Sequence, residues 1–343
     1  MSLSVFFRVL PWHKSPCDLC PRLPWLDFHV KRIRSGAKPS AASPDLCRVG
    51  PIPLCYRLEA MRRTTPDEVA SGGVPARGMV DLHGHILPGI DDGARDLEQA
   101  LNMARLAVAD GIAVSVATPH HLNGVYINSA SSVRDHCRAF RNALNQHDIA
   151  LEILPGNECH LVPELPEALA AGTALTLGDR GRAVLVELPV HTVPLGATGI
   201  LEEILALGLQ PVVAHPERNA ELAQDAGLLA EWVEMGCLAQ VTSQSCSGRF
   251  GPLVQQAAKR MVCDGLVHVI ASDAHRDRRR VPVIQPGRDI VAQWTCVEVA
   301  SLMTETIPRA LALGQSVDLD PLIDALPVQR TDMWGWLRTK LGK

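Results

Sequence analysis

Several features are missing from this chain of 343 residues, and each absence excludes something. No apolar run reaches the roughly 18 residues that would span a bilayer, so no membrane-spanning helix is expected. The opening Met1-Ser-Leu-Ser-Val-Phe-Phe-Arg8 has too short an apolar core for a secretory signal, which leaves the cytoplasm as the expected location. The ten cysteines are scattered without a repeating framework, which suits reduced thiols rather than a disulfide scaffold. No Gly-x-Ser-x-Gly elbow occurs, so a serine-hydrolase nucleophile is unsupported.

Positive charge is scarce beyond the first quarter of the chain. Residues 1–78 hold 12 Lys+Arg against 6 Asp+Glu, whereas the remainder holds 21 against 31. An acidic main body excludes nucleic acid as the principal partner. The same first segment carries 10 of the 25 prolines and shows no sustained helix or strand period, so residues 1–78 read as a poorly ordered basic extension. Cys17-Asp-Leu-Cys20, with Cys47 and Cys55, looks in part like a zinc motif, but seven residues separate the second pair; unpaired thiols are preferred.

With 47% hydrophobic residues over its full length, the chain can bury a barrel-sized core. From Met79 onward, seven short apolar runs predict strands: Met79–Leu82, Ala113–Ala117, Leu151–Leu154, Ala183–Val186, Pro211–Ala214, Leu238–Val241 and Val267–Ala271. Between them, Leu97–Val108, Val133–Leu144, Ile200–Leu207, Glu221–Met235 and Leu253–Val262 have helical spacing. Gly111, Gly208, Gly236 and Gly265 stand where helix ends want glycine. Strand and helix alternating in this way predict an α/β fold, a (β/α)7 TIM-like barrel closed or nearly closed, with an open doubly wound sheet as the alternative.

Polar residues follow these runs at their C-terminal ends. His83 and His85 follow the first, Thr118-Pro-His120-His121 the second, and Pro155-Gly-Asn-Glu158 the third. Glu187 follows the fourth, His215-Pro-Glu-Arg218 the fifth and Ser272-Asp-Ala-His275 the seventh. The sixth is followed only by Thr242-Ser-Gln-Ser245, which brings no strong metal ligand. In a parallel array those ends share one face, so residues distant in sequence would meet in one pocket. His-x-His alone is as often surface composition as ligand, and Glu187 or Asp273 alone could be a salt-bridged or helix-capping carboxylate. Coincidence at six strand ends outweighs those readings. Histidines mixed with carboxylates and no cysteine point to more than one ion of zinc, manganese, iron or magnesium type.

Asp-Leu-His-Gly-His-Ile-Leu-Pro-Gly-Ile-Asp-Asp-Gly-Ala, then Thr-Pro-His, Gly-Asn-Glu, Val-Glu-Leu-Pro, Ala-His-Pro-Glu-Arg and Ser-Asp-Ala-His in that order, resemble the PHP (polymerase and histidinol phosphatase) superfamily. The set is most similar to its bacterial manganese-dependent protein-tyrosine phosphatases of capsular and exopolysaccharide synthesis, over residues 79–315. That resemblance implies the PHP form of the barrel, distorted, with a three-ion site, manganese foremost and iron, zinc, cobalt or magnesium as alternatives. Its ligands would be His83, His85, Asp92, His120, Glu158, Glu187, His215, Asp273 and His275. Asp91 would instead orient the loop or a histidine. Arg218 and Arg280 match positions that bind phosphate, with Arg276, Arg278 and Arg279 as neighbours able to replace the latter. A metal-activated hydroxide would attack phosphorus in line with no phosphoenzyme. A tyrosine leaving group, with a pKa of about 10, needs little acid help, and His121 or His275 would be the donor if one is used.

The cysteine-thiolate route to phosphotyrosine needs an arginine six positions after the cysteine, and none of the ten cysteines has one. Three rivals stand beside the phosphatase reading. The first is another PHP phosphoesterase, acting on histidinol phosphate or a nucleotide. A barrel amidohydrolase is the second, although the lysine that commonly bridges its metals is missing: the first lysine after Met79 is Lys259. The third is a non-catalytic scaffold. The implied partner is a phosphotyrosine-bearing protein, a tyrosine autokinase of polysaccharide synthesis. The aromatic and basic end of 316–343, Met333-Trp-Gly-Trp to Lys343, allows at most peripheral membrane contact, with packing of its tryptophans preferred. A chain starting near Met79 is expected to carry the whole activity.

Overall fold

A computed structural model describes residues 75–327. The Cys17/Cys20/Cys47/Cys55 set, nearly all of the 1–78 extension and the tail tryptophans lie outside the described residues.

All seven expected runs are strands, and two of them are extended by a short second strand. The order is β1 (Met79–Gly84), β2 (Ile112–Ala117), β3 (His120–His121), β4 (Glu152–Pro155), β5 (Glu158–His160), β6 (Ala183–Glu187), β7 (Gln210–Ala214), β8 (Leu238–Thr242) and β9 (Val269–Ala271). Every pairing is parallel. Helices on the outside leave both strand faces buried, which is why these runs are dense in Val, Ile and Leu rather than alternating. Val80, Leu82, Val114, Ile153, Val184, Val212, Val241 and Ile270 are all inaccessible to solvent.

The ladder forms two sheets, β1-β2-β4 and β3-β5-β6-β7-β8-β9, rather than one continuous ring. The break falls at Thr118-Pro119, where proline has no N–H to continue the ladder. The first sheet hands over to the second there: Thr118 N donates to Gly84 O at 3.0 Å, and Glu158 N donates to Pro119 O at 3.2 Å. Among the described residues, the first and last strands are joined by one bridge, Gly84 to Ala274 just past β9. His85 N donates to Ala274 O and Asp273 N to His83 O, each at 2.8 Å. Deeper in, the Asp81 carboxylate replaces a main-chain partner, accepting from Ser272 N at 2.9 Å and from Ser272 Oγ at 2.5 Å. A side chain in that gap is the reason the ladder does not close there.

The expected helix over Glu221–Met235 is two helices, Ala220–Gln224 and Gly227–Met235. Asp225 turns extended between them, and its side chain accepts from Gly227 N at 2.9 Å. The four glycines expected at helix ends all adopt positive φ, between +73° and +108°. Beyond β9, Leu322 of the helix Asp320–Ala325 is buried in the same core.

Candidate metal centre

The strand ends converge as parallel geometry demands. His83 lies on β1 with His85 just past its end, His120 on β3, Glu158 at the start of β5 and Glu187 at the end of β6. His215 follows β7; Asp273 and His275 follow β9. His215 and Asp273 hold left-handed φ values of +35° and +51°, rare for side-chain-bearing residues and tolerated where the surroundings fix a functional geometry.

Glu158, buried, is the hub. Its Oε1 lies 3.2 Å from His83 Nε2 and 3.0 Å from His215 Nε2, and its Oε2 lies 3.2 Å from His85 Nε2 and 3.0 Å from His120 Nδ1. Asp273 Oδ1 is 3.4 Å from His83 Nε2 and 3.6 Å from His275 Nδ1. Asp92 Oδ1 reaches His120 Nε2 at 3.4 Å and His275 Nε2 at 3.6 Å, while Glu187 Oε2 lies 3.5 Å from His120 Nδ1. All nine residues singled out in the sequence are therefore brought together. Three overlapping groups have donor atoms within 4.8 Å of one another: His85, Asp92, His120 and His275; His83, His85 and Glu158; His120, Glu158 and Glu187.

This donor set fits divalent ions. Three buried atoms that face the shared space, His120 Nδ1, Glu158 Oε2 and Asp273 Oδ1, make no aligned hydrogen bond. Leaving such atoms buried and unpaired is costly unless something else coordinates them. The electrostatics agree. Burial opposes the proton on His85, yet the Asp91 and Glu158 carboxylates outweigh it and lift this imidazole to about 9. His120 rises to about 11, with Asp92, Glu158 and Glu187 overcoming burial. His83 is raised too, by Glu158 and Asp273 against burial. Glu158 and Asp273 are held well below the ordinary range despite burial, His83 being the largest charge acting on each. Protons thus occupy a cluster whose charge calls for cations.

His275 is driven the other way, to about 3, by burial and by the His85 and Arg280 charges; burial alone lowers His121. Neither holds a proton near neutral pH, so neither is a ready acid.

Supporting residues surround the nine. Asp91 Oδ2 accepts from His85 Nδ1 at 2.7 Å, and its Oδ1 accepts from Gly93 N at 2.8 Å, so the first aspartate orients a histidine while Asp92 faces the cluster. The Arg218 and Arg280 guanidinium groups both pair with Asp273 Oδ2. Of the basic run after His275, Arg276 is drawn to Gly93 O, Arg278 and Arg279 are exposed, and Arg280 reaches the cluster with a φ of +50°. Lys259 is exposed on the helix Pro252–Cys263, so no lysine among the described residues serves as a metal bridge. Beside the cluster lies a shallow dip in the surface lined by Leu188, Val190, Ala214, His215, Arg218 and Asn219.

Four contributors escaped the sequence reading. Gln240, on β8, has Oε1 2.9 Å from His83 Nδ1. Asp81 pins β1 to Ser272, and burial raises its carboxyl to about 6. The Tyr126 ring stacks on His120, with centroids 6.0 Å apart and planes 11° from parallel. His160 Nδ1 lies 3.5 Å from Glu187 Oε2. The available signal for the first two was a polar residue inside an otherwise apolar buried strand; for Tyr126 and His160 there was none beyond proximity in sequence to a ligand.

Comparison with known proteins places this geometry. The family model for capsular polysaccharide synthesis, CpsB/CapC, matches residues 79–310. Tyrosine-protein phosphatase YwqE of Bacillus subtilis is 36% identical over 258 residues, covering 75% of this chain and 100% of that protein. Tyrosine-protein phosphatase CpsB of Streptococcus pneumoniae is 28% identical over 244 residues, 70% of this chain and 100% of that one. A crystal structure from work on those two proteins, described as unique metal-dependent tyrosine phosphatases, superposes with a TM-score of 0.68 at 36% identity, covering 74% of this chain and 100% of that chain.

Proposed function

The chain belongs to the CpsB/CapC family of capsular polysaccharide synthesis, and from that premise we propose that it is a metal-dependent protein-tyrosine phosphatase. The observation that carries this reading is the convergence of five imidazoles and three further carboxylates around Glu158, with two arginines on Asp273 at the edge. His83, His85, Asp92, His120, Glu158, Glu187, His215, Asp273 and His275 would hold the ions; all but His215 and Asp273 fall into three overlapping groups, which suits three ions. Manganese is the ion we favour: nitrogen and oxygen donors without thiolate suit it. The chemistry supplied by ions bound there is activation of water and neutralisation of phosphate charge.

The chain's own residues do the rest. Arg218 and Arg280 share one carboxylate oxygen now, and a phosphate entering beside it offers each a second, bidentate partner. Asp91 and Gln240 fix the tilt of His85 and His83, so both imidazoles keep Nε2 turned inward. Leu188 and Val190 put apolar surface beside Arg218, against which an aryl group can lie. His275 and His121, the two donors the resemblance offers, are both lowered and so are poor general acids, which an aryl leaving group tolerates better than an alkyl one.

Among the described residues no helix is long and apolar enough to cross a membrane. The partner we propose is a phosphotyrosine-bearing protein of polysaccharide synthesis, a tyrosine autokinase, met in the cytoplasm. The test is hydrolysis of a phosphotyrosyl peptide, p-nitrophenyl phosphate and histidinol phosphate with added manganese, before and after chelation. Manganese-dependent turnover that favours the aryl substrates is expected; preference for histidinol phosphate, or no metal-dependent rate, overturns the reading.

A further inference from the structure

Arg218 is held by more than its pairing with Asp273, and the additional support comes from the segment after β8, the strand that supplies no ligand. Its guanidinium carbon lies 5.0 Å from the centroid of the Phe250 ring, within cation–π range. The preceding residue, Glu217, is fully buried, and its Oε1 accepts from Thr242 N at 3.0 Å and from Ser245 Oγ at 2.6 Å. Both neighbours in His-Pro-Glu-Arg are therefore tied to the same arm, one through its carboxylate and one through its guanidinium face.

The arm itself is built to present the ring. Arg249 N donates to Gln244 O and Gly251 N to Gly248 O, each at 3.0 Å, and Gln255 Nε2 donates to Cys246 O at 2.8 Å. Gly248 and Gly251, at φ +79° and +96°, reverse the chain on either side of Arg249-Phe250, conformations that other residues rarely adopt. Phe250 is half-buried and absent from the hydrophobic core, unlike Phe140 and Trp232, so its ring has no core-packing duty. Asp273 ties the guanidinium at one end only; without the ring face the group would pivot about that pair and meet a phosphate only part of the time.

We propose that Phe250 is the positioning residue for Arg218: its ring face holds the guanidinium at the edge of the metal cluster, so phosphate affinity depends on a side chain that touches no reacting atom. This rests on the phosphatase reading, in which Arg218 meets the phosphate.

The test uses the full chain loaded with manganese and inorganic phosphate as the probe, which has no ring for Phe250 to stack on. Phosphate affinity is measured by calorimetry, kcat and KM on a phosphotyrosyl peptide, and bound manganese per chain by elemental analysis. Phe250→Leu should weaken phosphate binding and raise KM about tenfold, with kcat changed far less and manganese content unchanged. Phe250→Tyr, which restores an aromatic face, should restore both affinities. Adding Phe250→Leu to Arg218→Ala should weaken phosphate binding no further than Arg218→Ala does. Unaltered phosphate affinity in Phe250→Leu, equal damage from Leu and Tyr, or an additional loss in the Arg218→Ala background overturns the proposal. Should the unmutated, manganese-loaded chain neither bind phosphate nor hydrolyse the peptide, the phosphatase reading fails first and takes this proposal with it.

Discussion

Gln240 Oε1 lies 2.9 Å from His83 Nδ1, so the strand without a ligand of its own holds an imidazole of the strand that presents two. His83 Nε2 faces Glu158 and Asp273, so with an ion there Nδ1 must carry the proton and donate it to the amide oxygen. Gln240→Leu is expected to lower manganese affinity by about 10- to 100-fold, whereas Gln240→Glu, still an acceptor, should keep most of it. Competition against a metal-chelating dye measures this; equal affinity in the Leu variant would reduce Gln240 to a space filler.

Asp273→Asn removes the charge shared by Arg218, Arg280 and His83, and His215→Ala removes a neighbour of the Glu158 hub. Each should cut manganese-dependent turnover by more than about 100-fold. Neither side chain packs in the apolar core, so circular dichroism should still report the α/β fold. Unchanged turnover in both variants would place the site elsewhere.

Metal affinity should rise with pH. His83, His85 and His120 are raised above their usual value, His85 to about 9 and His120 to about 11, so at neutral pH an ion has to displace their protons. Between pH 6 and 8.5 the logarithm of the manganese association constant should climb by about one to three per pH unit, one for each proton released. Calorimetry in buffers of different protonation enthalpy gives both the slope and the proton count. A flat profile would contradict the charge assignment. The stability linkage of the ion-free protein has the matching sign: these raised values contribute stability below the unfolded histidine pKa, and it is lost as pH rises through 9 and 11.

His268 titrates in the opposite sense. Buried on the chain entering β9, with Nδ1 accepting from Ala239 N at 3.1 Å, it is lowered by burial to about 4. A folded pKa below the unfolded value means this contribution is present above 6.5 and lost as pH falls towards 4. The loss is roughly 3 kcal/mol by linkage. His268→Asn keeps an acceptor for Ala239 and removes the titration. Its melting temperature should therefore fall less than the parent's between pH 6.5 and 4.5, and parallel curves would show that His268 does not set acid stability.

The Arg309 side chain donates to Gly78 O at 2.6 Å and also reaches Pro75 O, so residues just before β1 are tied to the helix Ile307–Ala312. We expect a chain beginning at Pro75 to match the full chain in turnover. One beginning at Met79 should lose about 1–3 kcal/mol through the unpaired guanidinium. Thermal melts of the two truncations decide; equal stability would mean that the Arg309 contacts are incidental.

The sequence by itself determined the parallel layer and the address of the site. Apolar runs dense in β-branched residues, spaced by helical segments ending in glycine, have few ways to bury both faces, and parallel strands put every C-terminal end on one side. That alone brought together His85 and His275, 190 residues apart in sequence. Only the tertiary structure decided which side chains turn inward. Asp91 and Asp92 are adjacent and chemically alike, told apart in the sequence only by the family resemblance, and the turn after β1 gives one to His85 Nδ1 and the other to His120 and His275. The same holds for Arg280 among its basic neighbours, for the Asp81 carboxylate that interrupts the ladder between β1 and β9, and for Phe250 beneath Arg218. Period and composition encode which face a residue occupies along its own strand or helix; they carry no information about direction across elements that meet only after folding.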